Sequence, residues 1–174
     1  MSQKIYNVLF VCTGNSARSI MAECLLNYWG KGLFKGYSAG NHPKGDVDPF
    51  TLQLLTKTGM PTEGLSSESL DIYTRADAPQ MDYVFTVCDV AASEALPTMP
   101  GSPIIAHWGL ADPAAFQGSD ATRALAYRQA FSQLERRIQL FVALRHKELS
   151  RREVEQKVAE IGRQGADQVE DKAS

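Results

Sequence analysis

Ile5-Tyr6-Asn7-Val8-Leu9-Phe10-Val11, followed directly by Cys12-Thr13-Gly14-Asn15-Ser16-Ala17-Arg18-Ser19, decides how this chain is read. The first half is a short, nearly continuous apolar run rich in β-branched and aromatic side chains, the pattern of a strand buried on both faces. It stops abruptly at small and polar residues. From Ile20 to Trp29, Met21, Leu25 and Tyr28 then recur at helical spacing before Gly30 ends the run. A loop of small residues between a buried strand and a helix can turn successive N–H groups inward, and the helix start adds positive potential. An anion cradle is therefore expected at residues 13–19.

Cys12 and Arg18 frame that loop. The Arg18 guanidinium offers two planar donors suited to a tetrahedral oxyanion. Cys12 lies at the base, where the same field is expected to lower its pKa from about 8.5 into the range of roughly 3.5–7.5, with Ser19 donating to the sulfur. The result would be a nucleophile beneath a bound oxyanion held by Thr13, Gly14, Asn15, Ser16, Ala17, Arg18 and Ser19. Taken alone, the Cys-x5-Arg spacing fits an ordinary strand-end cysteine and helix-start arginine better. The strand before it and the helix after it reverse that preference. The loop lacks the Gly-Lys-Ser/Thr of a nucleotide P-loop and the GxGxxG of a dinucleotide site.

Outward from this segment, strands and helices alternate. A strand is expected at Phe34–Ala39, a helix at Pro49–Thr58 with Asp48 as its N-cap, and strands at Tyr83–Val87 and Pro103–Ala106. A long helix is expected from Asp120 to about Arg145, with Leu125, the Arg128 stem, Phe131, Leu134, Ile138 and Phe141 or Val142 on its apolar stripe. Such alternation argues for an α/β fold, a four-stranded parallel sheet with helices on both faces, whose ligand site lies beyond the carboxyl ends of the strands. Ser150-Arg151-Arg152-Glu153 is a capping-box pattern opening an extra C-terminal helix that carries Val154, Val158 and Ile161. The expected organisation is a catalytic domain over residues 1–147, the additional helix over 148–162 and a disordered polar tail over 163–174.

Composition narrows the partners. The chain has 174 residues, 44% of them hydrophobic and 22% charged, which suits one globular domain. No apolar run approaches the ~18 residues of a membrane span, and the start has no signal-peptide layout, so a cytoplasmic protein is expected. A net charge of −2 offers no electrostatic footprint for nucleic acid or an anionic membrane. Three cysteines cannot all pair within the chain, leaving at least one free thiol. His42, His107 and His146 are scattered without ligand spacing, so no zinc site or other metal centre is expected from them.

The run VLFVCTGNSARSIMAE resembles the signature of the low-molecular-weight protein-tyrosine-phosphatase superfamily, and TGNSARSIMAE resembles its arsenate reductase branch. Further matches follow in order: Ser38-Ala39-Gly40, Phe85-Thr86-Val87-Cys88-Asp89, and His107-Trp108-Gly109-Leu110-Ala111-Asp112-Pro113. The resemblance spans roughly residues 5–145. It implies that Asp112 is the general acid, although Asp-Pro alone is usually a turn. It implies that Cys88 is a resolving thiol, where a lone cysteine is more often core. It also implies that Asn15, Glu23 and Ser38 hold the loop shape and, in some members, a potassium ion. His107 and Trp108 fit loop packing as well as substrate contact.

The expected activity is thus thiol-dependent reduction of arsenate, with no bound organic cofactor and an external thiol reductant. Thioredoxin-linked members carry a third thiol seven residues beyond Cys88, where this chain has Ala95, and Cys24 lies on the expected buried helix face. Glutathione with glutaredoxin is therefore favoured over thioredoxin. The rival enzyme is a phosphotyrosine phosphatase working through a phosphocysteine. Its usual aromatic clamp is weak here, because Ala114, Ala115 and then Phe116 follow Asp112-Pro113, and Asn41-His42 occupy the second-strand rim. A third alternative is an oxyanion-binding protein without turnover.

Overall fold

The computed structural model describes residues 4–89, 91, 94 and 96–164. Strands β1 (Tyr6–Val11), β2 (Phe34–Ala39), β3 (Tyr83–Thr86) and β4 (Ile104–His107) form one parallel sheet in the order β2-β1-β3-β4. Helices α1 (Arg18–Trp29), α2 (Pro49–Lys57), α3 (Asp120–Val142) and α4 (Arg151–Arg163) flank it. The apolar run of β1 follows from its place in the sheet. It has a strand on either side, and Val8 to Val11 are completely buried.

Register brings the chemistry to one rim. Val11 pairs with Ala39 on one side and Thr86 on the other, and Thr86 pairs with His107. The ends of all four strands therefore stand in a row. Cys12, Gly40, Cys88 and Trp108 lie immediately beyond it, and the chain order reverses at the β1/β3 crevice, the expected place for a ligand.

Local chemistry fixes the helix starts. The Asp48 carboxylate accepts from the Phe50 N–H at 2.8 Å with Pro49 as the first helical residue, and Ser119 accepts from the Thr122 N–H at 3.2 Å. The capping box on α4 is complete: Ser150 Oγ accepts from the Glu153 N–H, and Glu153 accepts from the Ser150 N–H. Each such cap is worth about 1 kcal/mol.

Several expectations are corrected. Ile5 is exposed and β1 begins at Tyr6. Tyr28 is not on the buried face of α1; with Trp29 it turns outward and the two rings meet edge on. The buried face is instead broad, because α1 packs against both β2 and α3, and it includes Ile20, Met21, Cys24, Leu25 and Leu26. Helix α3 ends at Val142, and its buried stripe runs through Tyr127, Phe131, Leu134, Arg137, Ile138 and Phe141 while Leu125 and Arg128 face solvent. Tyr127 sets that rotation, since its hydroxyl donates to Asp48 at 2.6 Å and its ring stacks on Phe50. Arg163 is helical and Gln164 caps α4, so the expected disordered tail does not begin at residue 163; residues 165–174 lie outside the described residues.

Helix α4 packs on β4 and α3. Val154, Val158 and Ile161 are buried, and a Cβ at Gly162 would stand 2.3 Å from the His107 carbonyl oxygen. Only glycine permits that approach.

Candidate active site

The loop after β1 is held from outside by its carbonyls. The Thr13 carbonyl accepts from the His42 N–H at 3.0 Å. The Gly14 carbonyl accepts from the Lys44 N–H and the Ser67 hydroxyl at 3.0 and 3.2 Å, and the Ser16 carbonyl accepts from the Asp48 N–H at 3.0 Å. Asn15 is the only non-glycine residue in the left-handed region among the described residues, with φ of 43°. Its fully buried side chain fixes that conformation, donating to Ser19 Oγ at 2.8 Å and accepting from the Glu68 N–H at 2.7 Å. Gly40 passes so close that a Cβ there would stand 2.5 Å from the Thr13 oxygen. With the carbonyls turned out, the N–H groups of Gly14, Asn15, Ser16, Ala17 and Arg18 make no hydrogen bond to protein among the described residues. That is an anion-binding nest.

Ser19 departs from expectation. Its hydroxyl is engaged by Asn15, and among the described residues it makes no bond to the Cys12 sulfur. It supports the loop through Asn15 instead.

Cys12 is buried, and its N–H donates to the Ala39 carbonyl at 3.1 Å. Its thiol and that of Cys88 influence each other's titration. The Cys88 sulfur accepts from the N–H of Thr13 at 3.3 Å and of Ala91 at 3.4 Å, and shares a hydrogen bond with the Thr13 hydroxyl at 3.3 Å. The neighbouring Cys12 thiol, helped by these donors and opposed by burial, draws the Cys88 pKa down to about 5. The Cys88 thiol, reinforced by burial, pushes the Cys12 pKa up, and Arg18 only partly offsets it. This reverses the expected fall of the Cys12 pKa. The first N–H of the cradle points at Cys88 and not at Cys12, which favours negative charge on Cys88 over Cys12. Both thiols are free.

Arg18 and Asp112 come together across the rim. Arg18 Nη1 donates to the Leu110 carbonyl at 3.0 Å, and Nη2 stands 3.6 Å from Asp112 Oδ2. The other Asp112 oxygen accepts from the Ala114 N–H at 3.0 Å and caps the 3-10 turn Pro113–Ala115. The Asp-Pro pair is therefore both a turn and a partner of the cradle arginine.

Beside the loop, the Ser38 hydroxyl donates to Glu23 at 2.7 Å. Burial raises the Glu23 pKa to about 7, with Glu68 adding to the rise and Ser38 opposing it. Glu68 accepts from the hydroxyls of Tyr73 at 3.1 Å and Ser66 at 2.8 Å. Glu23, Glu68, Ser66 and Tyr73 line a cleft of about 220 Å³. Asn15, Glu23 and Ser38 were singled out from sequence; Glu68, Ser66 and Tyr73 were not. Their segment meets the loop through long-range contacts, the bridge of Gly40 to Ser69 and the bonds of Ser67 to Gly14 and of Glu68 to Asn15, which leave no periodic signal.

The other candidates resolve into packing. Trp108 is completely buried and stacked on Phe85 with centroids 4.2 Å apart. His107 bonds Thr86 and Asp89, which bracket Cys88. His42 pairs with Glu94 and His146 with Tyr83, so the three histidines are separate. No group of three or more His, Cys, Asp or Glu residues suited to a metal occurs among the described residues. Cys24 is core: its thiol donates to the Pro61 carbonyl at 3.1 Å, and burial pushes its pKa up to about 11. Ala95 lies outside the described residues.

The profile described as low molecular weight phosphotyrosine protein phosphatase matches residues 7–156. An arsenate reductase of Halalkalibacterium halodurans is 32% identical over 145 residues, covering 81% of this chain and 96% of that protein. The crystal structure of an arsenate reductase from Archaeoglobus fulgidus is similar with a TM-score of 0.61 at 29% identity, over 79% of this chain and 99% of that one. A structure described as an arsenate reductase in the phosphate binding state is similar with a TM-score of 0.64 at 27% identity, over 79% and 97%. By the extent of the profile match and the fold it shares, this chain belongs to the low molecular weight phosphotyrosine protein phosphatase family.

Proposed function

We propose that the protein is a thiol-dependent arsenate reductase. One observation carries this: a second thiol, Cys88, is held at the base of the anion cradle, where Cys12 ends β1, by the cradle's first N–H. A phosphatase working through phosphocysteine needs only one. The arsenate reductases among its relatives support the same choice.

In the proposed reaction the cradle N–H groups and Arg18 hold arsenate over Cys12. Cys88, the charged member of the pair, takes the Cys12 proton, and the Cys12 sulfur forms a bond to arsenic(V). One arsenic oxygen leaves as water on receiving a proton from Asp112. Cys88 then passes its proton to an arsenic-bound oxygen and attacks the Cys12 sulfur. The sulfur–sulfur bond forms as the sulfur–arsenic bond breaks, and its electron pair stays on arsenic. Arsenite leaves as arsenic(III), and two thiols have supplied two electrons.

Turnover requires an external thiol. A disulfide between these buried thiols would be approached only through the mouth of the cradle, and glutathione with a glutaredoxin-type protein suits such narrow access better than thioredoxin. Such chemistry belongs in a compartment that keeps thiols reduced, the cytoplasm. Arsenate or phosphate is the expected oxyanion ligand. Asn15, Glu23 and Ser38 fit a potassium ion, since Glu23 is a buried carboxyl with Glu68 alongside. The ion would neutralise Glu23 and stiffen the Asn15 loop.

The deciding experiment measures arsenite formation and aryl phosphate hydrolysis side by side with defined thiol donors. Arsenite formation that requires both Cys12 and Cys88 supports the proposal; phosphate release alone identifies a phosphatase, and binding without turnover an inert oxyanion receptor.

A further inference from the structure

We propose that the buried Arg137 and the C-terminal helix α4 position the loop carrying Asp112, so that Arg137 is a positioning residue for the proton-transfer step. This rests on the reading of Asp112 as the acid. Arg137 is 1% exposed, and burial lowers its pKa to about 10 without displacing its charge at neutral pH. Its hydrogen bonds go to carbonyl oxygens: Nη1 to Trp108 at 2.8 Å, Nη2 to Gly109 at 3.1 Å, and Nη2 and Nε to Gln164 at 3.0 and 3.2 Å. A planar fork of donors thus joins the end of α4 to the first two residues of the loop after β4, a geometry that lysine cannot reproduce.

Helix α4 also holds the start of the loop and the strand end before it. The Trp108 indole N–H donates to the Val158 carbonyl at 2.9 Å, and Gly162 lies against the His107 carbonyl where a Cβ could not fit. One residue further on, the Leu110 carbonyl accepts from Arg18, whose second nitrogen faces Asp112. A continuous chain of contacts therefore runs from α4 through Arg137 and residues 108–110 to Arg18 and Asp112. A buried arginine is costly to retain, and a purely structural contact between α3 and α4 could be made by apolar side chains.

The test combines Arg137→Lys and the milder Trp108→Phe, which keeps a stacked ring but removes the tie to Val158, each with and without Asp112→Asn. Arg137→Lys is expected to lower the single-turnover rate of arsenite formation by about 10- to 100-fold with little change in the arsenate concentration giving half-maximal rate. In the Asp112→Asn background the same substitution should cost less than about twofold, because the group it positions is already gone. An equal loss in both backgrounds, or a loss of arsenate binding instead of rate, would overturn the proposal. Hydrogen exchange gives a readout that does not depend on Asp112 as the acid. The Leu110 N–H, bonded to the Val87 carbonyl, should exchange faster in both variants while β1 is unchanged. If Asp112→Asn alone leaves the rate intact, the acid assignment falls, and unchanged Leu110 exchange would then separately refute the positioning role.

Discussion

The N–H of Thr13 donates to the sulfur of Cys88 at 3.3 Å, although Thr13 follows directly on Cys12 in the chain. The cradle that begins at Cys12 thus spends its first donor on a second thiol from the neighbouring strand end. Parallel pairing of β1 with β3, Val11 beside Thr86, brings this about. Two thiols therefore stand at the base of an oxyanion site.

A thiolate should therefore be present well below neutral pH. Ultraviolet absorbance at 240 nm against pH should show it forming near pH 5 in the reduced protein, and Cys88→Ser should abolish that step. Stability carries the same signature. Between pH 5 and the unfolded value of about 8.5 the unfolded thiol binds a proton that the folded one does not, so this contribution grows with pH and is lost as pH falls through 5. Thermal unfolding should show a smaller rise over that window in Cys88→Ser.

Glu23 should act in the opposite direction. Its folded pKa is raised to about 7, so from roughly pH 4.3 to 7 the folded state binds the extra proton and this contribution to stability falls as pH rises. Glu23→Gln should remove that fall. Potassium chloride, compared with a salt of a large organic cation, should raise the unfolding temperature of the parent protein above pH 7 but not that of Glu23→Gln.

Asp112 lies on an exposed loop, so its chemical and structural roles separate. Asp112→Asn should slow arsenite formation by roughly 10²–10⁴-fold while the unfolding temperature stays within a few degrees. Unchanged rate per folded molecule would reduce Asp112 to the cap of its turn, which the Ala114 N–H already shows it to be.

What the sequence revealed depended on whether its cause was local. The buried strand, the cradle and the caps at Asp48 and Ser150 were readable because neighbouring residues alone produce them. The direction of the Cys12 pKa was not, since it depends on which sulfur a single N–H faces across the β1/β3 crevice. Arg137 carries no local signal in the sequence; the rotation of α3 fixed by Tyr127 turns it inward. Glu68 likewise acquires meaning only where its backbone meets Asn15.

The proposed preference for a small-thiol reductant rests on the two thiols at the cradle and on the remaining cysteine, Cys24, being buried against Pro61. At matched reducing capacity, glutathione with glutaredoxin should sustain faster steady-state arsenate turnover than thioredoxin with its reductase. A higher rate with thioredoxin would mean that the Cys12–Cys88 disulfide is reachable by a whole protein surface.

The most direct measurement is a single turnover of fully reduced protein with arsenate and no added thiol, quenched in acid and followed by peptide mass spectrometry. One arsenite per protein should appear together with one disulfide linking Cys12 to Cys88, and Cys88→Ser should stop at a Cys12 adduct. Arsenite release without that disulfide, or from Cys88→Ser at the parent rate, would contradict the two-thiol mechanism.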